Sequence, residues 1–191
     1  HSPYTLSLHD ALPIYISFKG SIEEISKTHN LQPIMIAFQL AVLKLIRTHK
    51  PGLLNGLSAT CGLSLGEYSA LALSGVIDED DALRLVAVRG SLMGKASENR
   101  SSKMLAILKM TEEEVRGITE ENPDFKGKLY IANINSSRQI IVSGEGEAID
   151  KLKAFLKANG KLAKPLAVSG AFHTPFMESA KDAFVTMLEG T

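Results

Sequence analysis

Residues 57–66 read LSATCGLSLG, and the last five of them, Gly62-Leu63-Ser64-Leu65-Gly66, match the pattern G-x-S-x-G. The apolar residues before the serine predict a short strand over 57–63, and those after it predict a helix over 66–74. In this pattern a strand turns sharply into a helix at a strained serine, and glycines two residues to either side leave room for the turn. The stretch therefore predicts an α/β fold with Ser64 as a nucleophile, and a purely structural turn is the alternative.

A nucleophilic serine needs an oxyanion donor and a base. The predicted helix directs its N-terminal N–H groups at the turn, so the backbone N–H of Leu65 can stabilise a developing oxyanion. His173 lies in GAFHTP, residues 170–175, after the last predicted strand, where α/β folds place catalytic loops. A surface or capping histidine is the alternative. Capping is the simpler interpretation of His29 and His49, which lie at the ends of helices predicted over about 21–29 and 31–48.

Arg89 interrupts an apolar helix face. Another helix is predicted to begin at 78–81 and to end near Ser97. Ala82, Val86, Arg89 and Met93 fall on one stripe of it. An arginine on such a stripe must find a partner, because an unpaired buried charge is costly. The partner is either an internal carboxylate or an anionic substrate, whose carboxylate a guanidinium binds through two parallel hydrogen bonds.

Composition limits the class of protein. The chain has 191 residues, 45% of them hydrophobic, and 21 basic residues balance 21 acidic residues. Zero net charge argues against nucleic acid or an anionic membrane as the main partner. The single cysteine, Cys61, excludes an internal disulfide and is expected to be buried in the strand. Because no apolar run approaches the roughly 20 residues that cross a bilayer, we expect a cytoplasmic α/β protein.

The sequence pattern changes after residue 101. Predicted elements follow in the order β-α-β-β-α-β, the split βαβ arrangement of a ferredoxin-like subdomain over residues 102–168. The strands are 103–110, 129–135, 139–143 and 162–168, and the helices are 111–121, with a capping box at Thr111 and Glu114, and 146–159. Residues 15–101 and 169–191 are then expected to form parts of one larger α/β layer that this subdomain interrupts.

Residues 1–14, HSPYTLSLHDALPI, show neither a clear helical or strand period nor the features of a signal peptide. Residues 8–14 can be back-translated to CTACACGACGCTCTTCCGATC, which resembles the end of a sequencing-library adapter read in frame. We therefore expect a non-native tail over 1–14, with the native sequence beginning near Tyr15. A genuine disordered tail is the alternative.

Three motifs occur in order: GLSLGEYSAL over 62–71, Arg89-Gly90 with Met93, and GAFHT over 170–174. Together they resemble malonyl-CoA:acyl carrier protein transacylases and the acyltransferase domains of fatty acid and polyketide synthases. The resemblance extends over about residues 30–190. It implies an incomplete α/β-hydrolase-like core with an inserted ferredoxin-like subdomain.

The resemblance also implies a ping-pong transfer of a malonyl group in fatty acid biosynthesis. Ser64, deprotonated by His173, would attack malonyl-CoA, and the phosphopantetheine thiol of acyl carrier protein would then collect the group. Arg89 would bind the malonyl carboxylate, and Leu65 would supply its N–H to the oxyanion. The other substrate-binding residues expected are Met93, Gln32, Asn133 and Asn135. No metal or bound cofactor is implied, and we expect a monomer that binds neither nucleic acid nor a membrane.

Several positions depart from the family pattern. Leu63 stands where many members have histidine, and Ser137-Arg138 stands where a Pro-Gly turn is common. The family's N-terminal glycine-glutamine motif, which supplies a second oxyanion N–H, is absent. The group that orients the histidine is expected beyond Thr191. These departures predict an internal fragment of a longer enzyme, impaired or inactive as it stands.

Three other functions stay open. The chain can be the acyltransferase domain of a polyketide synthase, although its short linkers favour a stand-alone enzyme. In either case Ala171-Phe172-His173 resembles the malonyl-type signature more than the methylmalonyl type. Serine hydrolases and thioesterases use the same turn, although Arg89 and the insert argue against them. The third is an inactive carrier-binding module. An acidic carrier could dock on Lys151, Lys153, Lys157, Lys161 and Lys164, but a solvated helix face is the simpler interpretation.

Overall fold

Alternating helices and one small sheet make up the chain in the computed structural model, which describes residues 8–168 and 170–189. The α-helices are α1 (Leu8–Lys19), α2 (Ile22–Ser26), α3 (Thr28–His49), α4 (Gly66–Ser74), α5 (Glu79–Ser97), α6 (Glu112–Arg116), α7 (Gly146–Ala158) and α8 (Glu178–Glu189). The strands are β1 (Ser102–Leu108), β2 (Leu129–Ser136), β3 (Gln139–Glu145) and β4 (Leu162–Pro165). Single 3₁₀ turns occupy Pro51–Leu54 and Pro175–Met177, and a π-helical turn occupies Gly117–Glu121. The chain is therefore mixed α/β, and it divides into two units after Ser91.

The first unit is helical and is built around α3. Its core consists of Ile36, Leu40, Leu43, Ala72, Ala82 and Val86, contributed by α3, α4 and α5. At 22 residues and with few charged side chains, α3 has the length and composition of a membrane span, and about a fifth of its most apolar stretch is buried in the protein. The expectation that no apolar run approaches that length is therefore wrong. The polar side chains of Thr28 and Gln32 are buried on the same helix.

The second unit contains a four-stranded antiparallel sheet in the order β2-β3-β1-β4. Between Ser102 and Pro165 its elements follow the predicted order β-α-β-β-α-β, and the capping box of Thr111 and Glu114 is present at α6. One face packs against α6 and α7 through side chains such as Leu152 and Leu156, which are fully buried. Burial of each such leucine stabilises the fold by roughly 1.5–3 kcal/mol.

The opposite face of the sheet is covered by the segment that follows β4. Met104, Ala106 and Ile141 are buried on this face and contact Val168 and Phe172. The predicted last strand, 162–168, is shorter in the structure because pairing with β1 ends at Pro165. The chain then leaves the sheet edge and returns across the face, which places residues 170–177 over the sheet.

The predicted strand over 57–63 is wrong. These residues have no regular structure, and the only sheet among the described residues lies in the second unit. A strand is stable only when its N–H and C=O groups pair with a neighbour, and this segment has no pairing strand there. Leu57 is 52% exposed and Leu63 68%, and Cys61 is exposed rather than buried as expected.

The amino-terminal stretch contains a helix that the local sequence pattern did not predict. Helix α1 begins at Leu8, so residues 8–14 are helical although their sequence shows no clear period. Residues 1–7 of the expected tail lie outside the described residues. Helix α1 packs against α3, and that packing supplies order that the local pattern does not indicate.

Candidate active site

Ser64 lies at the turn before α4 with φ of 51°, in the left-handed region that non-glycine residues rarely adopt. A Cβ at Gly62 would overlap the carbonyl group of Gly66. A Cβ at Gly66 would meet nothing within 4 Å. The turn is closed by the N–H of Gly66, which donates to the carbonyl of Leu63 at 2.9 Å. Only the first of the two glycines in the motif is therefore required by close approach.

Leu65 is the N-cap residue of α4 and has helical backbone angles, with φ of −60°. Its N–H therefore belongs to the first turn of the helix, where the unpaired amide ends of the peptide dipoles concentrate positive potential. This position is consistent with the prediction that the Leu65 N–H stabilises an oxyanion.

Arg89 on α5 contacts the serine directly. Its Nη2 donates to Ser64 Oγ at 2.9 Å, and its Nη1 donates to Gln32 Oε1 at 2.6 Å. Gln32 Nε2 in turn donates to Thr28 Oγ1 at 2.9 Å, one helical turn earlier on α3. The structure thus joins three predicted site residues, Ser64, Arg89 and Gln32, in one hydrogen-bonded chain.

Close approach of two helices brings these groups together. A Cβ on Gly90 would lie 2.9 Å from the carbonyl oxygen of Thr28, so only a glycine lets α5 lie this near α3. The predicted apolar stripe is confirmed around the arginine, since Ala82 and Val86 are fully buried and Met93 is 9% exposed. Arg89 therefore leaves an apolar helix face beside Ser64.

The guanidinium of Arg89 is partly buried, and its surroundings change its pKa. Burial lowers the pKa of its guanidinium, and the Tyr68 ring and the Glu67 carboxylate partly oppose that shift. The guanidinium carbon lies 5.8 Å from the centre of the Tyr68 ring, within the range of a cation–π contact. Burial also raises the pKa of Tyr68. Among the described residues no carboxylate forms a salt bridge with Arg89, so the internal ion pair considered for it is absent there.

His173 belongs to the second unit and is also held in the left-handed region, with φ of 59°. Thr174 Oγ1 donates to the carbonyl of Ala171 at 2.7 Å and accepts from the N–H of Phe176 at 3.2 Å. Ala171 and Thr174 are buried, whereas His173 is exposed. The buried residues Ala171 and Thr174 therefore fix the backbone of the turn, and the imidazole of His173 lies at the surface.

The imidazole of His173 lines an open cleft of about 660 Å³ in the second unit. Tyr130 and Ile131 of β2 line the same cleft, and so does Met177. The Tyr130 ring packs edge-on against Phe176, with 6.1 Å between ring centres. Charged side chains, among them Arg116 and Glu178, line the cleft as well. Apolar and charged groups thus lie beside His173, a combination found in many ligand sites.

The remaining predicted residues occupy varied environments. Asn133 is half-buried and Asn135 is exposed, both on β2, whose pairing with β3 shifts register beside each of them. Such bulges redirect side chains and are common near functional sites. Every lysine of the set considered for carrier docking is exposed, and two of them form ion pairs: Lys151 with Glu147 and Lys161 with Glu114.

Two residues of the site were missed from the sequence. Tyr68 follows Ser64 by four residues on the adjoining helix, and Thr28 precedes Gln32 by four, so helical spacing was the available signal for both.

Within the described part of the chain, no group of three metal-ligating side chains is clustered.

Comparisons with known proteins place these features in a family context. The profile of the acyl transferase domain family matches residues 3–190. The malonyl CoA-acyl carrier protein transacylase of Bacillus subtilis is 34% identical over 175 residues, which are 90% of this chain and 53% of that protein. The polyketide biosynthesis protein PksE of Bacillus subtilis is 40% identical over 128 residues, or 64% of this chain and 16% of that protein.

One solved structure is a type II polyketide synthase acyl-carrier protein in complex with its malonyl-transacylase. It matches with a TM-score of 0.83 and 34% identity over 93% of this chain and 57% of that chain. The chain spans about half the length of the transacylases that it matches.

Proposed function

Because the chain belongs to the acyl transferase domain family, we propose that it carries out malonyl transfer from malonyl-CoA to the phosphopantetheine thiol of acyl carrier protein. The observation that carries this proposal is the contact between Arg89 and Ser64. A cation within hydrogen-bond distance of a nucleophile suits an acyl group that ends in a carboxylate. In malonyl-CoA the carboxylate lies two carbon–carbon bonds from the thioester carbon.

In the first half-reaction His173 accepts the Ser64 proton while Ser64 Oγ attacks the thioester carbonyl. The new Oγ–C bond gives a tetrahedral oxyanion, which the N–H of Leu65 stabilises. The C–S bond then breaks, and the CoA sulfur leaves with the proton from His173. In the second half-reaction the carrier thiol attacks the ester by the same steps in reverse, and Ser64 is regenerated. Each proton and electron pair is accounted for without a metal or cofactor.

Substrate selection falls to the residues around the serine. We assign the malonyl carboxylate to Arg89, with Gln32 holding the guanidinium in place. Met93, Asn133 and Asn135 are assigned to the substrate as well, on the family resemblance of their positions. All residues assigned to malonyl transfer come from one chain, and we propose that the enzyme is a monomer. We also propose that it is cytoplasmic and binds neither nucleic acid nor a membrane. The buried Gln32 and Thr28 on α3 favour a core helix over a membrane span.

The proposal extends to the domain arrangement. The strand order β2-β3-β1-β4 with antiparallel neighbours supports a ferredoxin-like subdomain over 102–168. Residues 15–101 and 169–191 are assigned to a partial α/β-hydrolase-like core, and residues 1–14 to a non-native tail. The similarity to PksE supports one alternative, a polyketide synthase acyltransferase. That enzyme would use the same chemistry with a different carrier.

The intact mass of the chain after brief incubation with malonyl-CoA tests the proposal. We expect a malonyl adduct on the wild-type protein and on Ser69→Ala, a variant of another half-buried serine on α4. We expect no adduct on Ser64→Ala. An adduct that persists in Ser64→Ala would contradict the assignment of the nucleophile.

Addition of carrier protein separates the competing functions. Malonyl-carrier product indicates a transferase, release of free malonate indicates a hydrolase, and carrier binding without any adduct indicates a binding module. If the wild-type chain gives no adduct, the same experiment on a chain with the full length of its relatives decides. A second negative result there would overturn the transferase proposal.

A further inference from the structure

We propose that Arg89 restrains Ser64 until a substrate carboxylate takes the arginine away, so that the acyl group itself releases the nucleophile. The inference rests on the proposed function and adds a step to it. The guanidinium has two alternative acceptors, the substrate carboxylate and Ser64 Oγ, and its hydrogen bond to Ser64 Oγ at 2.9 Å is the restraining contact.

Both terminal nitrogens of the Arg89 fork already have acceptors. Nη1 donates to Gln32 Oε1 and Nη2 donates to Ser64 Oγ. A carboxylate is bound most strongly through two parallel N–H···O bonds. A carboxylate that takes both terminal nitrogens therefore has to displace one of the two present acceptors.

Ser64 is the acceptor that gives way. Gln32 is 5% exposed and is anchored from behind by Thr28, and its bond to Nη1 is the shorter of the two. Ser64 is half-buried at a strained turn. A charged acceptor also outcompetes a neutral hydroxyl for a guanidinium.

The exchange changes what Ser64 can do. While Ser64 Oγ accepts a hydrogen bond from the Arg89 guanidinium, its lone pair is less available to attack a carbonyl carbon. The hydrogen bond also fixes the hydroxyl in one orientation. Once a carboxylate takes the Nη2 donor, the hydrogen bond from the cation to the serine oxygen is lost, and the oxygen becomes more nucleophilic. A hydrogen bond to a charged group corresponds to roughly tenfold to a hundredfold in an equilibrium. An acetyl thioester, which has no carboxylate, would gain none of this release.

Malonate binding tests the exchange without any acyl transfer. If malonate must break the bond between Arg89 and Ser64, then Ser64→Ala, which lacks that bond, binds malonate about fivefold or more tightly than wild type. Ser69→Ala should bind like wild type. Titration calorimetry gives both affinities. Equal or weaker binding by Ser64→Ala would overturn the proposal, and so would the absence of malonate binding to either protein.

A divided substrate tests the catalytic consequence. Acetyl-CoA with formate supplies the acyl group and the carboxylate of malonyl-CoA as separate molecules. We expect formate, compared with chloride at equal concentration, to accelerate acetylation of Ser64 severalfold in wild type and in Arg84→Met. Arg84 is an exposed arginine on the same helix. In Arg89→Met formate should have no effect.

The two proposals fail in different ways. A malonyl adduct on Ser64 without stimulation of acetylation by formate would leave the proposed function standing and overturn the release step. No malonyl adduct even at full length, together with tighter malonate binding by Ser64→Ala, would overturn the transferase and retain the exchange at Arg89.

Discussion

The turn at Ser64 and the turn at His173 hold a non-glycine residue in the same left-handed backbone region, with φ of 51° and 59°, but by different means. At Ser64 the chain closes on itself because Gly62 has no Cβ where the carbonyl of Gly66 lies. At His173 the chain is held by the Thr174 hydroxyl, which bonds both Ala171 and Phe176. The turn at Ser64 depends on the lack of a Cβ at Gly62, whereas the turn at His173 depends on the hydroxyl group of Thr174.

The difference matters because the left-handed conformation costs an ordinary residue roughly 1–2 kcal/mol. At Ser64 the cost is offset by a close backbone contact that tolerates no added carbon. At His173 it is offset by the two hydrogen bonds of the Thr174 hydroxyl and by burial of Ala171. We expect the two turns to fail under different substitutions and to different extents.

The largest effect is expected from Gly62→Ala. The added Cβ cannot be accommodated by a side-chain rotation, since the atoms it meets are backbone. We expect the free energy of unfolding to fall by about 3 kcal/mol and the malonyl adduct on Ser64 to disappear. Denaturant unfolding and intact mass measure the two results.

Gly66→Ala is the matched control at the other end of the motif. Its Cβ would meet nothing within 4 Å, so we expect the stability to stay within about 0.5 kcal/mol of wild type. Equal losses in Gly62→Ala and Gly66→Ala would show that helix and turn preferences, not close approach, decide the conformation at Ser64.

A smaller effect is expected from Thr174→Val, which keeps the shape of the side chain and removes its hydroxyl. Two hydrogen bonds are lost and a buried carbonyl is left without this donor, so we expect about 1–2 kcal/mol of destabilisation. Because the His173 backbone is then less well held, acylation of Ser64 should slow by roughly tenfold. The rate is followed by mass spectrometry at saturating malonyl-CoA.

Thr174→Ser restores the hydroxyl and should restore the acylation rate to nearly that of wild type. Thr186→Val, at an exposed threonine of α8 whose hydroxyl donates to the backbone carbonyl of Asp182, should change neither rate nor stability. A Thr174→Val protein with the wild-type rate would show that burial alone holds the His173 turn.

The smallest effect is expected in the sheet of the second unit, at Ser143 of β3. Its side chain is fully buried, and its hydroxyl has no hydrogen-bond partner among the described residues. Ser143→Ala removes that unsatisfied group, so we expect the free energy of unfolding to rise by up to about 1 kcal/mol. Ser137→Ala, at the exposed β2–β3 turn, is the control and should be neutral. A clear loss of stability in Ser143→Ala would reveal a partner for the hydroxyl.

The fold was predictable where the signal was local. The order of elements from 102 to 165 followed from alternating apolar residues and from a capping box at Thr111 and Glu114, each readable within a few residues. The strand over 57–63 was not, because apolar composition does not supply a pairing partner. Helix α1 was not predicted, because its sequence has no clear helical period and the helix packs against α3.

The candidate site divides in the same way. Ser64, Arg89 and His173 could be named from motifs, and helical spacing pointed to the stripe that Arg89 interrupts. Tyr68 and Thr28 were missed, since neither is unusual in its own segment. Their relevance appears only when the guanidinium lies over one ring and is linked through Gln32 to the other residue.

The sequence by itself determined the residue types and the local geometry: a glycine at 62, a threonine at 174, and a serine and a histidine at the two turns. These depend on contacts between residues a few positions apart, which chain connectivity brings together. Only the tertiary structure decided that Arg89 contacts Ser64 and Gln32, 25 and 57 residues away. The contact with Gln32 exists because α3 and α5 approach closely at Gly90, and helix approach depends on packing that no short stretch of sequence specifies.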